Sequence, residues 1–291
     1  MKAYLSHFTA AYAWNIPYLD SVFGAPPGEP RAGRGRKADI TFTDPAARHR
    51  LRGYNVHLCT GRLPRDAVAR RNGYFTASPP LVFLELANEL DFHRLILLGL
   101  QLCAYAPGRP AEAVAAKQQL LSLAARMPWH FGSVKAGKAL RYVADGSGSI
   151  MESLAFMILG LPHALGGYGL GGARFNHEIP LDAEAQRRLR QQRCYVDLFF
   201  PEARLGVEYD SFSQHSTPAE QSRDLIRATT LERLGIEIVR LGTHQLYDRK
   251  ACEEFAHNLA ARLGKRIRIR TGKFPEAHHS LRALLPTRPN L

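Results

Sequence analysis

At 291 residues the chain is long enough for one large or two ordinary domains, and its 45% hydrophobic content excludes a disordered polymer. Thirty-nine Lys and Arg against 26 Asp and Glu give a formal charge of +13 and a pI near 9.9, which points to a polyanionic partner, nucleic acid before membrane. The four cysteines, at 59, 103, 194 and 252, have neither metal-type spacing nor the density of a disulfide framework, which fits a reducing cytosol.

The opening MKAYLSHFTAAYAWNIP is too polar for a signal peptide. The longest apolar run, 95–106, is interrupted by Gln101 and too short to span a bilayer, so the expectation is a soluble cytoplasmic protein with no membrane partner. A short helix is expected over 8–14. Residues 25–37 form a Pro/Gly loop ending in Arg31, Arg34, Arg36 and Lys37, either a phosphate-neutralising arm or a solvated loop. Strands are expected at 40–42 and 54–58. A largely apolar helix or helix pair follows over 81–106, then a helix over 113–126 with Leu120, Leu121 and Leu123 turned inward. A domain boundary is expected near 130–147. It leaves an α+β N-terminal domain over 1–140, an α/β domain over 141–264 and a basic tail over 265–291.

In the second domain, Ser149-Ile-Met-Glu152 opens a helix to about 159, and 166–172 is a glycine-rich loop. A strand is expected over 174–180, then a polar, arginine-rich insert over 182–192. Two apolar runs, 195–200 and 205–209, flank Pro201-Glu202-Ala203-Arg204 and suggest a tight antiparallel hairpin. Pairing Phe200 with Leu205 sets Asp197 opposite Glu208, with Cβ atoms about 5 Å apart. Two carboxylates that close repel by about 3 kcal/mol at an effective dielectric near 20. A divalent cation between them removes that cost, and hard oxygen ligands suit Mg²⁺. A register slipped by one residue, or a separate arginine for each acid, would also remove it. Thr217-Pro-Ala-Glu220 begins a helix that runs to 234 and stops at Gly235, with a strand over 236–241 and a helix over 249–263 behind it. Arg223 and Arg227 share a face of that helix, where they can hold phosphate oxygens or form intrahelical pairs with Glu220 and Asp224. After Gly264 come Lys265, Arg266, Arg268 and Arg270, candidates for backbone phosphate contact. The glycine-rich loop has no Gly-Lys-Ser/Thr ending, and His278-His279 alone is not a zinc site.

The order α-β-β-β-α-β, with the signature V-D-L-F-F-P…L-G-V-E-Y-D…H…R-D-L-I-R-A-T-T-L-E-R-L-G-I, resembles the PD-(D/E)XK nuclease superfamily over about 145–263. The nearest branch is similar to endonuclease-like domains related to very-short-patch repair endonucleases. More faintly, 5–11 and 74–87 resemble the antitoxin-like region of abortive-infection type IV toxin–antitoxin proteins. The first resemblance implies a restriction-endonuclease-like α/β core with a mixed sheet. It also implies Asp197 as the first metal-binding acid, Glu208 as the acid of the (D/E)XK element, and Glu152 as a helix-borne third acid. Glu152 also completes a capping box with Ser149, which explains it structurally. Where the family has lysine this chain has Asp210. Relatives with an E-x-D pair followed by histidine suggest Glu208-Tyr-Asp210 with His215 as general acid/base, a task its neutral-range pKa suits. The expected function is a Mg²⁺- or Mn²⁺-dependent DNA endonuclease. The alternative is a non-catalytic DNA-binding protein, either a degenerate nuclease or an antitoxin-like regulator.

Overall fold

The structure is a computed structural model and describes residues 1–23, 37–210 and 218–286. Most of the basic loop at 25–37, His215 and the Thr217 helix cap lie outside the described residues. Two compact units are present, one of 1–104 with 111–145 and one of 105–110 with 146–291.

The first unit runs β1 (Ala3–Leu5), α1 (His7–Ala13), α2 (Leu19–Phe23), β2 (Ala38–Phe42), β3 (Tyr54–Leu58), β4 (Val68–Arg71), β5 (Tyr74–Ala77), α3 (Pro79–Leu86), α4 (Phe92–Leu102), α5 (Lys117–Arg126) and α6 (Ser133–Leu140). Its strands line up as β3-β2-β1-β5-β4, with β1–β5 and β2–β3 parallel and the other pairs antiparallel. The β4–β5 hairpin turns on Asn72-Gly73, both at positive φ (50° and 83°), the left-handed pair that a two-residue turn requires. The apolar run after Ser78 is a helix pair. Asp91 breaks it by accepting the Arg94 N–H at 2.9 Å as the N-cap of α4. Helix α4 buries Leu95, Ile96, Leu97, Leu98, Leu100 and Leu102 all round, each contributing on the order of 2 kcal/mol, so it is a central core element rather than a surface helix. On α5, Leu120 and Leu123 are buried as expected, but Leu121 is 37% exposed. One position along a helix turns a side chain through about 100°, too far for three such neighbours to share one face.

The second unit runs α7 (Ile150–Gly160), β6 (Arg174–Ile179), α8 (Ala183–Leu189), β7 (Cys194–Phe200), β8 (Leu205–Asp210), α9 (Pro218–Arg233), β9 (Glu237–Gly242), α10 (Thr243–Tyr247), α11 (Arg249–Arg262) and α12 (Phe274–Arg282). The α/β class expected from the sequence holds: helices alternate with two mixed sheets. This sheet is ordered β6-β7-β8-β9. The first two pairings are antiparallel, and β9 is returned parallel to β8 through α9, a crossover that parallel pairing demands. The hairpin register is the expected one, Phe200 with Leu205, Phe199 with Gly206 and Leu198 with Val207. Its turn is a single 3-10 turn over Pro201–Ala203 closed by Arg204 at φ 48°. A Cβ on Gly206 would come within 2.5 Å of Val196 Cγ1 and 2.7 Å of Ile238 Cδ1, so glycine lets three strands pack at this level. Leu231 of α9 packs with Ile179, Cys194, Val196, Phe199 and Ile236 in one core. The helix ends at Gly235, in the left-handed region at φ 72°. Arg204 then donates to the carbonyls of Gly235 (3.0 Å) and Leu234 (2.6 Å), tying the hairpin turn to the helix end.

The segment expected as a basic tail contains helix α12, whose Phe274, His278 and Leu281 are buried. His278 Nδ1 lies 2.7 Å from the Gly166 carbonyl, and the Phe274 ring stacks on His278 at 4.9 Å. Gly166, at φ 79°, is crowded against the Ala277 backbone, where a Cβ would come within 2.4 Å. The glycine-rich loop is thus a seat for α12.

Candidate functional site

Asp197 sits on β7, one residue beyond the last paired position with β8, and Glu208 stands level with it on β8. The Asp197 side chain crosses to the neighbouring strand, where its Oδ2 accepts the Tyr209 N–H at 2.9 Å. Burial pushes its carboxyl up to about 7, and the charges of Glu152 and Glu208 add to that, while the Tyr209 N–H and Arg227 pull the other way. The sequence therefore brings three acids from α7, β7 and β8 into one electrostatic neighbourhood.

Glu208 has a partner of its own. Its Oε1 accepts from Arg227 Nε at 3.2 Å and Nη2 at 2.5 Å, with both side chains largely buried. Arg227 also donates to the Tyr195 carbonyl (2.6 Å) and to Cys194 Sγ (3.2 Å). Burial alone would lower the guanidinium pKa. Glu208 outweighs it and the net direction is up. The separate-arginine alternative thus holds for Glu208, and Arg227 spans β7 and β8 rather than standing free on α9. Asp224 does not pair with it but accepts from Arg240 Nη2 at 3.0 Å. Arg240 Nη1 also lies 4.0 Å from Asp210, the last residue of β8.

Glu152 lies in the first turn of α7. Ser149 Oγ accepts its N–H at 3.1 Å, but its carboxylate reaches past Ser149 to the Gly148 N–H (2.9 Å) and to Asn176 Nδ2 (2.8 Å). Only half of the expected capping box forms. Burial pushes the Glu152 carboxyl up, against these donors. Asn176, on β6 at φ 40°, also donates to the Gly146 carbonyl at 2.9 Å, so Glu152 is anchored from the adjoining strand.

The three carboxylates are hard oxygen donors of the kind that Mg²⁺ or Mn²⁺ takes. In the present arrangement one Glu208 oxygen is held by Arg227. Among the described residues, the one group of three whose ligand atoms all lie within 4.8 Å of one another is His7, His57 and Glu89, in the first unit. A cation shared by Asp197, Glu208 and Glu152 would require Glu208 to turn from Arg227 or to offer its other oxygen.

Arg223 is exposed on α9 and lines a groove of about 810 Å³ with Arg187, Arg188, Arg190 and Asp224. The arginine-rich insert expected over 182–192 supplies Arg187, Arg188 and Arg190 to this groove, a role that its sequence alone did not assign. Lys265 donates to the Gly171 carbonyl at 2.8 Å, while Arg266, Arg268 and Arg270 are exposed in the segment between α11 and α12. The His7, His57 and Glu89 group was also missed. Its members are scattered over more than eighty positions, and no periodicity joins them.

No family model matches the chain, and no solved structure does. It is similar to two curated proteins of Mycobacterium tuberculosis, "Uncharacterized protein MT2308" of strain CDC 1551 / Oshkosh and "Uncharacterized protein Rv2248" of strain ATCC 25618 / H37Rv. Each is 26% identical over 204 residues, 69% of this chain, and the match spans 65% of the relative's length. Among the described residues no helix is long and apolar enough to cross a membrane.

Proposed function

We propose that residues 146–264 form a divalent-cation-dependent DNA endonuclease domain of the PD-(D/E)XK type. The observation that carries this reading is the register of the β7–β8 hairpin, which sets Asp197 level with Glu208 and within electrostatic reach of Glu152. Acids crowded in this way are relieved by a cation. Asp197, Glu208 and Glu152 would hold Mg²⁺ or Mn²⁺, with Asp210 at the strand end and His215 as the proton-transfer group. When bound there, the cation supplies an activated water for attack on phosphorus. Arg223 and the α8 arginines, with Arg266, Arg268 and Arg270, offer charges for the DNA backbone. Four buried, free cysteines support a reducing, cytoplasmic setting.

The test is cleavage of plasmid and single-stranded DNA by the purified chain with Mg²⁺, Mn²⁺ or EDTA. Metal-dependent cleavage that disappears in Asp197→Asn and falls steeply in His215→Ala is the expected result. A chain that nicks neither substrate with either metal would overturn the assignment.

The Glu208–Arg227 pair favours a second reading. A carboxylate already neutralised by a part-buried guanidinium needs no cation, and Asp210 stands where a nuclease of this kind carries lysine. That reading is a non-catalytic DNA-binding protein, a degenerate nuclease or an antitoxin-like regulator. Salt-sensitive DNA binding without cleavage would select it.

A further inference from the structure

The first unit holds a cluster that the nuclease reading does not use. His7 opens α1 and His57 lies on β3. Their rings stack with centroids 3.8 Å apart and planes 16° from parallel. Glu89 comes from the turn between α3 and α4, with its Oε1 3.6 Å from His7 Nε2. One ring nitrogen from each histidine and one oxygen of Glu89 all lie within 4.8 Å of one another. Ligands about 2.1 Å from a tetrahedral ion stand about 3.4 Å apart, so the His7–Glu89 separation already matches one edge of such a site.

Behind each histidine stands a buried carboxylate. His57 Nε2 is 3.1 Å from Asp39 Oδ1, and Asn55 Nδ2 donates to the same oxygen at 3.2 Å. A proton held between His57 Nε2 and Asp39 leaves the lone pair on Nδ1. His7 Nδ1 is buried without a hydrogen bond, 3.8 Å from Glu85 Oε2. Glu85 itself is fixed by the Tyr4 hydroxyl and the His7 N–H, each at 2.9 Å. For His57 this is the pattern of a metal-ligating histidine, with a carboxylate that sets its tautomer and orientation, and Glu85 stands near His7 Nδ1 without a hydrogen bond to it. His7 is also held at φ 49°, in the left-handed region that a residue other than glycine enters only at a cost. That backbone aims its ring back at β3.

We infer that His7, His57 and Glu89 form a binding site for a late first-row divalent cation of the Zn²⁺ class, with Asp39 and Glu85 as the supporting carboxylates. Two imidazoles and one carboxylate suit Zn²⁺ rather than Mg²⁺, so the site is chemically distinct from the acids of the second unit. Three protein ligands leave a fourth position open for water or a ligand atom. The lone pairs of two stacked, nearly parallel rings lie in their own planes and do not converge, so coordination requires one ring to turn out of the stack until both planes contain the ion.

The experiment is a titration of the full chain, stripped with EDTA and dialysed, with Co²⁺ followed by visible absorption and then displacement by Zn²⁺. Bound zinc is counted by elemental analysis after dialysis. One equivalent per chain and visible Co²⁺ bands are expected. Glu89→Gln and His57→Asn, each checked for folding by circular dichroism, should weaken binding at least tenfold, and Asp39→Asn by about 10- to 100-fold. Glu276→Gln, exposed on α12 and outside both groups of acids, should bind as the parent does. Three results would overturn the inference: no Co²⁺ spectrum and no retained zinc, parent affinity in both folded ligand variants, or loss of the bound zinc in Asp197→Asn, which would place the ion at the acids. A chain without nuclease activity that still binds zinc in this manner leaves the inference standing.

Discussion

Arg227 Nη2 donates to Glu208 Oε1 at 2.5 Å across the gap between α9 and β8, and the same guanidinium also takes the Tyr195 carbonyl on β7. One side chain thus fastens the helix to two strands and removes much of the repulsion that the paired acids would otherwise carry. Among the described residues, no such cation is in hydrogen-bond contact with Asp197, one strand over, which accepts from the Tyr209 N–H. The two acids, equivalent in the sequence, are opposite in electrostatic condition.

Neutralising them should therefore have opposite effects. Glu208→Gln leaves a largely buried guanidinium without its counter-charge, and the expected loss is about 2–3 kcal/mol. Asp197→Asn keeps an oxygen for the Tyr209 N–H and removes a disfavoured charge, so it should melt at the parent temperature or above. Thermal melts in EDTA at pH 8 check both. A Glu208→Gln protein as stable as the parent would show that Arg227 finds other partners at no cost.

A pH dependence follows from Asp197. Its folded-state pKa of about 7 lies above the ordinary carboxylate value near 3.8. Between those values the folded chain binds more protons than the unfolded chain, so this group's contribution falls as pH rises from about 4 to about 7 and is level above that. A tenfold difference in proton affinity between the two states corresponds to about 1.4 kcal/mol, and solvent screening of a part-buried group reduces the total to about 2 kcal/mol. The melting temperature of the parent relative to Asp197→Asn should fall across that window. Parallel curves would show that the carboxyl titrates normally.

Much of the second unit was legible because hairpins announce themselves. Pro201 to Arg204 set the loop length, loop length set the register, and Leu198, Phe199 and Phe200 found the expected partners. Gly235 likewise marked the end of α9. The destination of Arg227 was not legible, since helical spacing says which residues share a face but not which face meets the sheet. β4 and β5 were missed although Asn72-Gly73 is a strong turn signal, because only four residues pair on each side. α12 was hidden by charge: Phe274, His278 and Leu281 are the apolar face of a segment whose other residues are mostly polar.

That helix changes how the basic segment should be tested. Deleting 265–291 would strip α12 from its seat and confound charge with stability. Replacing Arg266, Arg268 and Arg270 by Gln removes three exposed charges and leaves α12 in place. If these residues meet DNA phosphates, the slope of log affinity against log salt should flatten by about 0.9 for each duplex phosphate no longer neutralised. An unchanged slope would take the segment out of the interface.

Gly166→Ala tests the seat itself. A methyl group there meets the Ala277 backbone, which cannot step aside as a side-chain tip can, and a residue at φ 79° adds strain of about 1 kcal/mol. The expected total is about 3 kcal/mol. Hydrogen exchange should localise it to α12, with β7 and β8 keeping their protection. Uniform loss across the unit would mean that α12 unfolds only together with the sheet.

The docked helix also separates covalent continuity from structural continuity. The residues between α11 and α12 are mostly exposed, whereas α12 is held by Phe274, His278 and Leu281 and by Arg282 donating to the Tyr247 carbonyl at 2.7 Å. A single proteolytic nick at Arg268 or Arg270 would therefore yield two peptides that migrate as one particle under native conditions and part only in denaturant. The released peptide, supplied in trans, would be able to reseat itself, making α12 a natural site for fragment complementation.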